Sequence, residues 1–251
     1  MWDFENVGAV ASTQQSARDR LADHAPKPFV LYSQAQQKGH GQHGRVWVRA
    51  EESLACSFAW PEPAGSICPG AGLPPWALWV SLAAATAAEQ AVGLPPCAVQ
   101  IKWPNDLIYR GRKSGGVLVS RVCPAQTPWL IAGIGLNLRW QSEPEGFEAS
   151  GLLEQTTQPC NDELIQALLA QLGQALAPLQ AGPPVGSDWE ARLAGRDWLR
   201  GRAVRLRDPH KQALICEGIA QGVDGLGWLA VQRPDGAVRS MAIGEASVCD
   251  F

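Results

Sequence analysis

The sequence has no apolar run long enough to cross a bilayer. The longest, from Trp76 to Ala88, is rich in alanine and falls well short of the ~20 residues a spanning helix needs. It also lacks a cysteine pattern. Cys56, Cys68, Cys97, Cys123, Cys160, Cys216 and Cys249 are odd in number, scattered, and form no C-x-x-C pair. That argues against structural zinc and against a disulfide framework, and points to reduced thiols in a cytosol. A basic surplus is missing too. Lys plus Arg is 21 against 24 for Asp plus Glu, a net charge of −3. Nonspecific attraction to nucleic acid therefore has no global driving force, and only a local basic patch could supply one. The first ten residues, MWDFENVGAV, carry two acids and no basic n-region, so no signal peptide is expected. No nucleophile elbow, no H-E-x-x-H and no pair of carboxylates at helical spacing occurs, so covalent catalysis by a side chain is not indicated.

What is present is ample core material. Of 251 residues, 46% are hydrophobic and 18% charged, which excludes a disordered chain and allows one large domain, alone or with a small one. Residues 12–24 read as a helix that Ser12 or Thr13 could cap. Phe29–Tyr32 reads as a strand, and Lys38–Arg45, with Gly39, Gly41 and Gly44, as a loop. Trp47 and Leu54–Trp60 look strand-like, and residues 76–92 form a helix stopped by Gly93 and Pro95. Val99, Ile101 and Trp103 alternate with Gln100 and Lys102 as in a strand, which Pro104 ends, with a turn at Asn105–Asp106. Strands over 117–122 and 129–138 follow, then a helix capped by Asn161 with leucines along one face. Beyond a break at 181–187 the texture changes to short strands with Asp224-Gly225 and Asp235-Gly236 turns, the pattern of a small β-barrel. The expectation is an α/β domain over residues 1–190 and a barrel over 198–251.

Three features could carry chemistry. The glycine loop lets backbone N–H groups approach an anion, although such loops are more often plain turns. Lys102 sits on the polar face of an otherwise apolar strand, either as a solvated edge charge or as a fixed cation over an anionic ligand. Asn137 interrupts the run IAGIGLNL, either to satisfy local backbone or to read a ligand edge, while Gly133 and Gly135 thin the strand beside it. His40 and His43 are spaced too simply, without a third partner, to define a metal site, and the metal ligands stay unassigned.

Taken in order, these segments resemble the biotin protein ligases. Ser12-Thr13-Gln14 looks like that family's Ser-Thr-Asn. Gln36 and the run Gly39–Trp47 are similar to its G-R-G-R-x-G-R-x-W loop, and Lys102-Trp-Pro-Asn-Asp-Leu107 matches K-W-P-N-D-L without a change. Lys113–Val119 is similar to K-L-A-G-I-L-V, Gly133–Leu138 to G-x-G-I-N-x, and Gly222 through Glu245 to the closing strands of an SH3-like barrel. The resemblance implies an α+β fold: a mixed-sheet catalytic domain of the biotin/lipoate ligase type, then a small SH3-like β-barrel. With about eleven residues before the Ser-Thr pair, no N-terminal DNA-binding domain is expected.

The implied reaction is formation of biotinyl-5′-AMP from biotin and Mg-ATP, then transfer of biotin to a lysine of a biotin carboxyl carrier protein or another biotin-acceptor domain. The resemblance assigns catalysis to Lys102. It assigns biotin to Ser12, Thr13, Gln14, Gln36, His40, Gly41, Gln42 and Lys102, and the nucleotide to Gly39, Gly44, Arg45, Trp47 and Asn137. It implies a cytoplasmic enzyme with no nucleic-acid or membrane partner, and a homodimer is possible through sheet edges. The chain departs from the family where His40, Gln42 and His43 stand in place of arginines, Gln14 in place of Asn, and Ser120 in place of an acid. A neutral amide at 42 lacks a guanidinium's charge and fork. Two alternatives stay open beside ligation of biotin: a ligase for another carboxylic cofactor such as lipoate, and a biotin- or nucleotide-binding homologue that has lost ligation.

Overall fold

The computed structural model describes residues 2–23, 27–41, 44–64, 75–141, 148–184, 188–209, 211–243 and 247–249. Gln42, His43 and the Gly244–Glu245 pair of the sequence comparison lie outside the described residues.

A seven-stranded sheet runs in the order β1-β2-β3-β7-β6-β5-β4. Its strands are β1 (Asp3–Asn6), β2 (Phe29–Ser33), β3 (Glu52–Pro61), β4 (Val99–Lys102), β5 (Asp106–Tyr109), β6 (Arg112–Val122) and β7 (Trp129–Arg139). Only β1 with β2 is parallel, which makes the sheet mixed. β1 escaped the sequence reading because DFEN has no alternation of apolar residues and is solvent-exposed throughout.

The long central strands β3 and β7 are buried on both faces. On one face Leu54, Phe58, Trp60, Ile134 and Leu136 meet α2 (Trp76–Val92) and α3 (Asp162–Leu176). α2 lies in the core beneath α3, so nearly every side is buried and its sequence shows no polar face. Gly93 ends it in the left-handed region at φ 75°, where glycine carries no Cβ penalty. α3 is amphipathic, and Asn161 Oδ1 accepts from Leu164 N–H at 3.0 Å to cap it. On the other face Phe29, Leu31, Ala59 and Ile131 meet α1 (Thr13–Asp23). α1 touches β2, β3 and β7 but leaves the rest of that face for the site.

A short helix, α4 (Asp188–Ala194), leads to a five-stranded antiparallel barrel. Its strands β8 (Ala203–Arg207), β9 (Leu214–Val223), β10 (Leu229–Gln232), β11 (Val238–Met241) and β12 (Ser247–Cys249) run in the order β11-β10-β9-β8-β12. Asp224 Oδ1 accepts from the N–H of Leu226 and Trp228, and Asp235 Oδ1 from Ala237, so both Asp-Gly turns form as their chemistry directs. The barrel's inward residues, among them Leu206, Leu229 and Val231, join the same buried cluster as the sheet.

Two local expectations are corrected. Trp47 lies in no strand; only His40 and Val46 make an isolated bridge in its loop. The turn after Lys102 occupies 103–105, and Asp106 begins β5 directly opposite Lys102 in the ladder. Among the described residues no helix is long and apolar enough to cross a membrane.

Candidate active site

The open face of the sheet forms the floor of a cavity of about 1320 Å³. The N-terminus of α1, the loop residues 38–41 and 44–48, and Trp198 and Val248, from the segment before the barrel and from β12, complete its walls.

The K-W-P-N-D motif builds one wall, each residue with its own task. Lys102 lines the cavity from the end of β4. Trp103 is buried, and its Nε1 donates to Gly227 O of the barrel at 3.0 Å. Asn105 locks the turn onto β6, donating from Nδ2 to Val117 O at 2.6 Å and accepting from Val117 N–H at 2.9 Å. Asp106 holds the ammonium of Lys113. Lys113 also stands over the Trp47 ring at 5.4 Å from its centroid, a cation–π contact.

Glycines on the floor receive side chains from above. A Cβ on Gly135 would lie 2.8 Å from Trp47 Cζ2, and one on Gly116 3.1 Å from Cζ3. A Cβ on Gly133 would meet Gln14 Nε2 at 2.8 Å. The thinning of this strand at Gly133 and Gly135 is thus room for Gln14 and Trp47, while the strand's register irregularity falls beside Asn137, opposite Glu52 and Ser53.

At the α1 end, Ser12 Oγ accepts from Gln15 N–H at 3.4 Å, the cap that was the plain reading of this residue. Thr13 Oγ1 shares a hydrogen bond with Ser57 Oγ at 2.9 Å, and Thr13 N–H donates to Gln36 Oε1 at 2.9 Å. Gln14 Nε2 donates to Leu118 O at 2.6 Å. These polar groups are fixed before any ligand arrives. In the loop, Trp47 N–H donates to Gly39 O at 2.9 Å and Gly41 N–H to Arg45 O at 2.8 Å.

The structure therefore brings Ser12, Thr13, Gln14, Gln36, His40, Gly41, Gly44, Arg45, Trp47 and Lys102 onto one cavity. Gly39 and Asn137 are not on its lining. Asn137 is buried at 1% exposure, where its Oδ1 accepts from Ala50 N–H at 3.0 Å and anchors the root of the loop. Its Nδ2 finds no partner among the described residues.

The sequence reading gave no role to Asp106, Lys113 or Arg18, which also line the cavity. Lys113 lay inside a quoted motif, so that signal was available. Arg18 needed the fold, which turns this face of α1 toward β6, where Arg18 Nη2 meets Ser120 Oγ at 3.0 Å.

The electrostatics are one-sided. Among the described residues, Arg18, Lys38, Arg45, Lys102, Arg112 and Lys113 line the cavity against Asp106 and Glu148. In a chain of net charge −3 this concentration of cations selects anionic ligands. Among the described residues no three His, Cys, Asp or Glu side chains gather as an all-protein metal cage requires. Two carboxylates beside a cationic wall do suit a magnesium ion that arrives on a triphosphate and keeps most of its ligands from phosphate and water.

Comparison with known proteins agrees with this geometry. The biotin/lipoate A/B protein ligase family profile matches residues 7–137. A biotin–[acetyl-CoA-carboxylase] ligase of Mycobacterium tuberculosis is 29% identical over 239 residues, covering 91% of this chain and 84% of its own. A protein of the same name from Paracoccus denitrificans is 29% identical, covering 82% and 85%. The biotin protein ligase of Aquifex aeolicus, solved with biotin and ATP, superposes with a TM-score of 0.75 over 99% of both chains at 24% identity. Since the profile match spans more than half of its 251 residues, the chain belongs to the biotin/lipoate A/B protein ligase family.

Proposed function

We propose that this protein is an ATP-dependent biotin ligase. The observation that carries the reading is one cavity lined both by the cations Lys102, Lys113 and Arg112 and by the fixed amide and hydroxyl groups of Thr13, Gln14 and Gln36. In the first step a carboxylate oxygen of biotin attacks the α-phosphorus of ATP. The α–β phosphoanhydride bond breaks, and pyrophosphate leaves with its electrons. In the second step the neutral amine of an acceptor lysine attacks the acyl carbon, AMP leaves, and the amine's proton passes to solvent.

The barrier specific to the first step is repulsion between two anions. At ~4 Å and an effective dielectric of ~20, unit charges interact by about 4 kcal/mol, so one well-placed cation changes the rate by orders of magnitude. Lys102 is assigned that place, with Lys113, steered by Asp106 and Trp47, beside it. Magnesium is expected to neutralise the triphosphate, and Asp106 and Glu148 are the carboxylates on the cavity lining that would be available to it. The described residues of the glycine loop, 38–41 and 44–48, line the cavity, where they would keep water from the mixed anhydride.

The relatives from Mycobacterium tuberculosis and Paracoccus denitrificans, each matched over most of its own length, bear the name of this activity, and that name gives acetyl-CoA carboxylase as their acceptor. The acceptor proposed here is accordingly a biotin carboxyl carrier domain. The reading needs no nucleic acid. Cys56, Cys97, Cys123, Cys160 and Cys216 are free thiols, in keeping with a cytoplasmic site of action. β1 is the sheet edge left open among the described residues and is where a second copy would pair. We also keep the division into a catalytic unit over 1–190 and a barrel over 198–251, which share one core.

The test is pyrophosphate exchange driven by biotin, run beside lipoate and octanoate, with calorimetry of biotin with and without ATP. Exchange with biotin alone supports the assignment. Exchange with lipoate alone moves the protein to the other branch of the family. Binding of biotin without exchange marks a homologue that no longer ligates.

A further inference from the structure

β4 carries Lys102, yet it is a four-residue edge strand, the least constrained kind of element on which to mount a catalytic amine. Its outer edge is held by the chain leading into the barrel. Ile101 N–H donates to Arg196 O at 2.7 Å, and Trp198 N–H donates to Ile101 O at 3.0 Å. The Arg196 side chain then turns back beneath the strand. Its Nη1 donates to Val99 O at 2.9 Å and to Glu89 Oε1, and its Nη2 to Glu89 Oε2 at 2.7 Å and Thr86 Oγ1 at 3.4 Å. Glu89, on α2, accepts from Val99 N–H at 2.8 Å. Both polar groups of Val99 therefore bind one ion pair, and the pair is buried, at 3% exposure for Glu89 and 6% for Arg196.

Neither residue lines the cavity, but both neighbours of the clamp do. Lys102 follows Ile101 on one side, and Trp198 follows the Arg196–Asp197 segment on the other. A buried ion pair is weak evidence for stability, because well-packed apolar residues of similar volume often serve as well. Apolar residues could not bond both the N–H and C=O of Val99 while also tying α2 to the segment before the barrel.

We propose that Glu89 and Arg196 are positioning residues for the reaction: their ion pair sets the placement of β4, and through it the Lys102 ammonium and the Trp198 wall. This rests on the ligase reading above for what Lys102 does, though not for how β4 is held. A displacement of about 1 Å in a reacting group can cost ~10²-fold in rate, so a clamp remote from the chemistry is enough to control it.

The experiment compares the full-length protein with the double variant Glu89→Leu/Arg196→Met and with Arg196→Lys. The second keeps a cation but cannot fork to Glu89 and Val99 together. Circular dichroism establishes that each is folded at 25 °C. Three readouts follow: the biotin dissociation constant, kcat and KM(ATP) of biotin-dependent pyrophosphate exchange, and the rate at which trinitrobenzenesulfonate labels Lys102, read by peptide mapping. The expected result is a biotin constant within about threefold of wild type, kcat lower by ~10–100-fold, and a changed labelling rate at Lys102. Wild-type kcat together with wild-type labelling in either folded variant overturns the proposal. If the wild-type protein gives no exchange with biotin, the ligase reading fails by itself, and the labelling comparison alone decides whether the pair places Lys102.

Discussion

The indole of Trp47 rests on Gly135: a Cβ added there would come within 2.8 Å of Cζ2 and 2.9 Å of Cε2. The same ring meets the position of a Gly116 Cβ at 3.1 Å and carries Lys113 above it. Trp47 is thereby the joint between the loop that lines the cavity and the strands that floor it. Gly135 does not have a positive φ, so alanine is free of backbone strain there and only the indole is displaced. Gly135→Ala is expected to keep the fold, with overpacking costing about 1–3 kcal/mol. Biotin-dependent exchange should fall at least tenfold as Trp47 and Lys113 shift. Wild-type exchange from Gly135→Ala would show that the position of Trp47 is immaterial.

A second expectation separates the two cavity lysines. Lys102→Ala removes a cation from the cavity lining at the end of β4 and leaves the backbone ladder between β4 and β5 in place, so the melting temperature should hardly move. Exchange should drop by ~10³-fold if that charge offsets about 4 kcal/mol of repulsion. Lys113→Ala also strands Asp106 without the ammonium it holds, and so turns an attractive contact into a bare negative charge on the wall. Its loss should be at least as large, and the double variant should fall short of the sum, since the two side chains would act on one pair of anions. A Lys102→Ala protein with more than a tenth of wild-type exchange would remove Lys102 from the role proposed for it.

These residues also show what could be read in advance. Strand alternation placed Lys102 on the polar face and the structure keeps it there, half-buried beside the buried Ile101 and Trp103. Helix limits at 76 and 92, the Asn161 cap and both Asp-Gly turns were local chemistry, and local chemistry survives folding. Asn137 was different. Its sequence context identified a polar interruption but not its direction, and only the 50–137 contact shows that it holds a loop root beneath the cavity. The partnership of Glu89 with Arg196 spans 107 residues, and nothing in either segment hints at the other. β1 pairs with β2 along its backbone, while its side chains reach distant partners, Asp3 and Glu5 to Arg20 and Phe4 to Phe58, so DFEN carries no local strand pattern.

The barrel is expected to respond to the catalytic motif. Trp103 Nε1 is buried and donates to Gly227 O, so Trp103→Phe keeps the ring but leaves a buried carbonyl unsatisfied. The expected cost is about 1–3 kcal/mol. For a chain of this size each kcal/mol shifts the melting temperature by roughly 2–4 °C. Scanning calorimetry should show this loss while the biotin constant stays within about threefold of wild type. An unchanged melting temperature would mean that the Trp103–Gly227 bond contributes nothing between sheet and barrel.

Asp197 gives stability a pH dependence with a defined sign. It lies in the segment bridged to Ile101, its Oδ1 accepts from Leu199 N–H at 3.0 Å, and burial pushes its carboxyl above the ordinary value of 3.8. A raised value means that the folded protein holds this proton more tightly than the unfolded chain does. Ionising Asp197 therefore opposes folding: its contribution is best below 3.8, declines as pH rises through the folded value, and is constant above it. Asp197→Asn keeps an oxygen for Leu199 N–H and removes the charge. Relative to wild type it should gain stability between pH 3.5 and pH 7, read as the change in urea midpoint at the two pH values. The opposite trend, with the variant losing ground at pH 7, would mean that the backbone N–H groups and Arg200 around this carboxylate outweigh its burial.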